Sequence, residues 1–171
     1  MSTRVLIAGI AALFLATGTA HTETNVRGCF VRVYDRAHLA KHPDQLVMAV
    51  KLHIKKPEVK EPDSSYKGYH WFTLKVKVRG RDETLHTSGI CSESALGLSC
   101  TIDCDGGGID VVPRGDHAMM YLKRIRMFTC DQEPPDGGED LSGGKDDRVF
   151  RLNRVNERAC AETSHEKIAA D

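Results

Sequence analysis

The sequence predicts a mainly β domain of about eight antiparallel strands, closed as a small barrel or packed as a sandwich, with one short helix near residues 36–42 and disulfide staples. Three observations carry that expectation. Apolar and polar residues alternate with period two, turn-forming residues separate the alternating runs, and six cysteines follow an export-type leader.

The leader comes first in the chain and decides how the cysteines are read. Arg4 precedes the apolar run "VLIAGIAALFLA" and then "TGTA", with Gly18 and Ala20 at the −3 and −1 positions of a cleavage site after Ala20. The run is twelve residues long, whereas a membrane-crossing helix needs about 20. Residues 1–20 therefore read as a signal peptide and 21–171 as a single periplasmic or secreted β domain, with no stable membrane anchor after cleavage. All six cysteines, Cys29, Cys91, Cys100, Cys104, Cys130 and Cys160, lie beyond the cut, and an even number in an exported chain points to disulfides. Spacing alone leaves their pairing open, although Cys29 near the first strand meets Cys160 after the last if the sheet closes.

The elements follow in order. "CFVRVYD" at 29–35 reads as a strand; Asp35 then caps "RAHLAKH", and Pro43 stops it. In "LVMAVKLHIKK" Met48, Val50, Leu52 and Ile54 alternate with Ala49, Lys51, His53 and Lys55. In "WFTLKVKVRGR" Phe72, Leu74, Val76 and Val78 alternate with Thr73, Lys75, Lys77 and Arg79, the clearest half-buried strand of the chain. Further strands are expected at 83–91, 97–104, 108–112, 117–128 and 148–155. The segments 55–68 and 131–147 are rich in Pro, Gly and charge and read as loops, the second mobile and acidic; residues 161–171 read as a loose tail.

The stretch "LSCTIDCDGGGIDV", 98–111, holds the densest chemistry. Leu98, Cys100, Ile102 and Cys104 share the inward parity, so the two cysteines seek partners on other strands. Gly106, Gly107 and Gly108 then permit a reversal. The rival reading is a calcium site built from Asp103, Asp105 and Asp110. Against it, an EF-hand loop starting at Asp103 places Gly107 and Arg114 where an oxygen donor and a bidentate Glu belong. A second metal candidate is the i, i+4 pair His38 and His42, which lacks an identifiable third ligand.

Catalysis finds little support. No Gly-x-Ser-x-Gly elbow occurs, Ser88, Ser92 and Ser94 have no evident base, and His70, His86 and His117 sit singly on different strands. No cofactor motif is present and the expectation is a protein without catalytic activity. The whole chain carries 24 basic and 24 acidic residues, and losing Arg4 with the leader leaves a net charge near −1, which argues against a dedicated nucleic-acid binder.

The charges are segregated, however. Lys51, Lys55, Lys56, Lys75, Lys77, Arg79 and Arg81 decorate the polar parity of adjacent strands, and the 131–147 loop carries Asp136, Glu139 and Asp140 among its acids. Of these, Lys75, Lys77, Arg79, Asp136, Glu139 and Asp140 form the candidate partner surface, facing an envelope or extracellular protein or polymer of opposite sign. A small apolar ligand behind Phe72, Leu74 and Val76 is the other candidate. The architecture is similar to the small barrels of the lipocalin and avidin class, without the lipocalin Gly-x-Trp in the first strand, the only tryptophan being Trp71. By size and compartment the chain also resembles periplasmic lysozyme inhibitors, small disulfide-bearing barrels. Their Ser-Gly motif followed by Lys and Tyr is not matched by "TSGICSES", 87–94. That resemblance implies a protein-binding module.

Overall fold

The computed structural model describes residues 26–56, 68–102, 106–127, 139–141 and 146–161. The leader, the end of the tail, Cys104 and Cys130 lie outside them, as do Asp103, Asp105 and Asp136.

Period-two alternation has produced the expected strands. They are β1 (Gly28–Val33), β2 (Val47–Lys55), β3 (His70–Val78), β4 (Thr84–Ser94), β5 (Gly97–Ile102), β6 (Gly107–Arg114), β7 (His117–Met127), β8 (Glu139–Asp140) and β9 (Val149–Val155). All pairings are antiparallel. Strands β1 to β7 follow one another as a meander, and β9 then inserts between β7 and β1. The outcome is a closed barrel of eight strands and not a sandwich, which leaves no long open edge. The ninth, β8, is a two-residue outlier that pairs with the end of β7.

One parity of every strand fills the interior. Phe30, Leu52, Phe72, Leu74, Leu98, Ile109, Met120 and Phe150 are all essentially inaccessible and belong to a single apolar cluster. An eight-stranded barrel is just wide enough for such side chains to fill, and each full burial stabilises by about 1.5–3 kcal/mol. Gly89 makes room for one of them. A Cβ there would lie 2.9 Å from Phe72 Cε1 and 2.0 Å from the Thr101 carbonyl oxygen, so β4 omits a side chain where the phenyl ring lies.

Helix α1 (Arg36–Lys41) forms where capping chemistry placed it. The Asp35 carboxylate accepts the His38 N–H at 2.7 Å, and Leu39 is the residue that α1 buries. The carbonyls at its far end are met by Arg79, whose guanidinium donates to the oxygens of Leu39, His42 and Gln45. Arg79 follows Val78, the last residue of β3, and is exposed as alternation expects while its guanidinium reaches back over the end of α1.

Within the 131–147 segment, Leu141 and Asp147 are described and both are buried. Leu141 is buried in the core cluster, and Asp147, fully inaccessible, accepts the N–H groups of Leu46 and Val47 at 2.7 and 3.2 Å. At the other terminus α2 (Arg158–Ala161) is held against β1 by a Cys29–Cys160 disulfide, the pairing that closure allows. Beside it His53 Nε2 lies 2.7 Å from Glu157 Oε2.

Candidate functional site

The 98–111 stretch is a staple, as far as its described residues reach. Cys91 on β4 and Cys100 on β5 are direct cross-strand partners of inward parity and form a disulfide. Of the three glycines, Gly107 adopts a left-handed φ of +91°, and a Cβ on it would sit 1.8 Å from the Arg124 carbonyl oxygen. Gly108 has no such φ, but a Cβ there would meet the Cys100 carbonyl oxygen at 2.5 Å. The glycines thus serve close backbone approach at a β-bulge, between Gly108 and Ile109, as much as reversal. Asp110 points outward, where its Oδ1 lies 2.7 Å from Lys123 Nζ. With Asp103 and Asp105 outside the described residues, the calcium constellation has one placed member, already paired with a cation.

The histidines do not converge. Tyr34, His38 and His42 stack in a column with ring centroids 4.6 and 4.4 Å apart, and Arg32 lies over Tyr34. His38 Nε2 is engaged by Gln45 Oε1 at 3.0 Å and His42 Nδ1 by Asp146 Oδ2 at 3.3 Å. Each of the two stacked rings thus has one nitrogen engaged by a neighbouring side chain. Among the described residues no group of three His, Cys, Asp or Glu side chains is placed to hold a metal. His86 is exposed on β4, and His117 Nδ1 lies 2.9 Å from Asp116 Oδ1.

His70 shares the inward parity of Phe72 and Leu74, opposite Cys91 and only 4% exposed. Its Nε2 lies 3.8 Å from Glu93 Oε1, and its Nδ1 has no hydrogen-bond partner. Burial lowers its pKa from 6.5; Arg27 and Lys56 push the same way and Glu93 opposes them.

The outer surface carries the strongest charge pattern. Sheet register aligns Val31, Lys51, Lys75 and His86 in one row across β1 to β4, so that Lys51 and Lys75 are directly opposed. Beyond the intervening row of His53, Thr73 and Ser88 lies the row Lys55, Trp71, Ile90 and Thr101, with Trp71 51% exposed. Lys77 lies on the other flank, opposite Ala49, and donates to the Asp82 carbonyl. Arg81 is paired with Glu83 at 3.1 Å. Alternation predicted which residues face outward; only register shows that Lys51, Lys75 and His86 are neighbours, with Trp71 two rows further along the face. The "TSGICSES" stretch, 87–94, lies in β4, which extends the strand expected at 83–91, with Ser92 Oγ donating to the Ser99 carbonyl across the β4–β5 pair. Backbone pairing ties Glu139 and Asp140 to Met127 and Arg126.

A second surface feature is an open groove of about 520 Å³ beside the β4–β5 hairpin, lined by Leu96, Leu98, Val112, Tyr121, Arg114 and the Asp110–Lys123 pair among others. No residue-pattern argument pointed to it, because its walls come from four strands brought together by closure.

Set against protein-family models, curated proteins and solved structures, the chain matches none.

Proposed function

We propose that this chain is an exported, non-catalytic binding protein of the periplasm or extracellular space, and that the outer face of β2 to β4 holds an acidic polysaccharide. The observation that carries the reading is the direct opposition of Lys51 and Lys75, with His86 next in the row. Like charges directly opposite on a sheet are destabilising, so the arrangement costs stability unless a polyanion offsets it. Adjacent strands are about 4.8 Å apart, close to the length of one pyranose ring, so the row offers a cation at nearly every sugar. Trp71, two rows along the same face and thus about 13 Å from Lys75, supplies an aromatic face for a more distant sugar ring of the same chain.

Two features support the compartment: the leader and disulfides, which persist in oxidising surroundings. A surface site is favoured over an interior one because Phe72, Leu74 and Val76, the expected cavity walls, are packed into the core cluster.

The test is titration with polygalacturonate and with neutral dextran at about 0.05 and about 0.5 M salt, a range over which screening of exposed charges becomes severe. Binding is expected for polygalacturonate only, weakening with salt and lost in Lys75→Glu. Equal binding of dextran, or retention by the variant, would overturn the reading.

A further inference from the structure

We propose that the groove between the β4–β5 hairpin and β7 is a second binding site, one that takes the C-terminal residue of a partner polypeptide, apolar in side chain, with its carboxylate on Arg114. The volume of about 520 Å³ lies within the range of sites that hold small ligands and suits one or two residues. Apolar contact comes from Leu96, which is 75% exposed at the hairpin tip, and from Tyr121, 38% exposed, over a floor that includes the buried Val112. Leu96 and Tyr121 are the side chains whose burial a ligand would complete.

Charge selects the rest of the ligand. The groove contains one carboxylate, Asp110, and it is neutralised by Lys123 at 2.7 Å. Lys123 is doubly committed, since its ammonium also donates to Ser99 Oγ at 3.2 Å. Asp116, two residues along the chain from Arg114, has its Oδ1 on His117 Nδ1 at 2.9 Å. Arg114 is left without a carboxylate partner among the described residues, and a guanidinium is the side chain best shaped to grip a carboxylate with two parallel hydrogen bonds. The Ser94 and Ser99 hydroxyls also line the groove and supply polar partners for peptide amides. The barrel is closed beneath the groove, so recognition proceeds through side chains and not through strand addition to a free edge.

The experiment is calorimetric titration of the full chain with N-acetyl-leucyl-phenylalanine, its C-terminal amide, and decanoate. The free-acid dipeptide is expected to bind, the amide to bind about tenfold or more weakly, and Arg114→Gln to weaken the acid to the level of the amide, as loss of a charge-assisted hydrogen bond implies. Tyr121→Ser is expected to weaken acid and amide alike. Equal binding of acid and amide, a comparison that needs no variant, would overturn the proposal. So would decanoate binding as tightly as the dipeptide, which would make the site one for simple fatty acids.

Discussion

Lys51 and Lys75 face each other across the β2–β3 pair with no carboxylate partner for either among the described residues. Replacing one of them tests stability and binding in opposite directions. Lys75→Glu removes the repulsion and sets an attraction to Lys51, so the variant is expected to gain about 0.2–1 kcal/mol. Urea midpoints at low salt check this, and the gain should shrink as salt is raised. A variant that is more stable yet blind to polygalacturonate separates a binding role from a folding one; a less stable variant would sink the account of the row.

His70 predicts an acid-sensitive stability. Its folded pKa lies below the unfolded value of 6.5 because burial, Arg27 and Lys56 disfavour the imidazolium more than Glu93 favours it. Its contribution is therefore fully present above pH 6.5 and is lost as pH falls through the lowered folded value. With Nδ1 already unsatisfied, His70→Phe gives up little hydrogen bonding. The variant is expected to match the parent near neutrality and to lose less stability on acidification, compared by urea unfolding across that window. Parallel pH curves for the two proteins would refute it.

Asp147 acts in the other sense. Burial raises its carboxyl above the usual range despite the Leu46 and Val47 N–H groups, which favour the charged form. A raised acid contributes stability that is complete below the unfolded pKa and is lost as pH rises through the folded one. The carboxylate nevertheless satisfies two backbone donors, one of them buried. Asp147→Ala orphans both, at a cost of about 1–3 kcal/mol per group, and hydrogen exchange at Leu46 and Val47 should speed up. Unchanged exchange there would show that the carboxylate does not hold this end of the barrel.

The two disulfides should differ in worth. Cys29–Cys160 spans 131 residues and Cys91–Cys100 only 9. Loop entropy assigns about 5 and about 2.5 kcal/mol respectively. Paired alanine replacement of Cys29 and Cys160 is thus expected to lower Tm more than replacement of Cys91 and Cys100. The reverse order would mean that packing of the inward pair outweighs chain entropy. For all six cysteines, intact mass should rise by about 6 Da on reduction, the signature of three bridges.

Much of the fold was legible because burial on one face imposes a period of two, and Phe72, Leu74, Val76 and Val78 display it without interruption. Helix α1 was legible because Asp35 caps it and Pro43 follows it. Neighbour relations were harder to read. They depend on register, and register shifts at the irregularities between Val47 and Ala49 and between Gly108 and Ile109. Trp71 was therefore visible as an outward residue but not as a companion of Lys55 and Ile90. Arg79 keeps the exposed side that alternation gives it, but alternation could not show that its guanidinium meets the carbonyls of Leu39, His42 and Gln45. The groove was invisible for a related reason: Leu96 and Tyr121 become neighbours only when β4 to β7 curve round the barrel.

The last strand to be synthesised is the keystone of the ring, since β9 pairs with both β7 and β1. Until Val155 has emerged, a growing chain holds two unpaired edges, and the bond from Cys29 waits for Cys160, five residues further on. Nothing before that point can lock the cylinder shut. A truncation anywhere before Val155 would therefore leave the β1 and β7 edges bare, open to pairing with another chain.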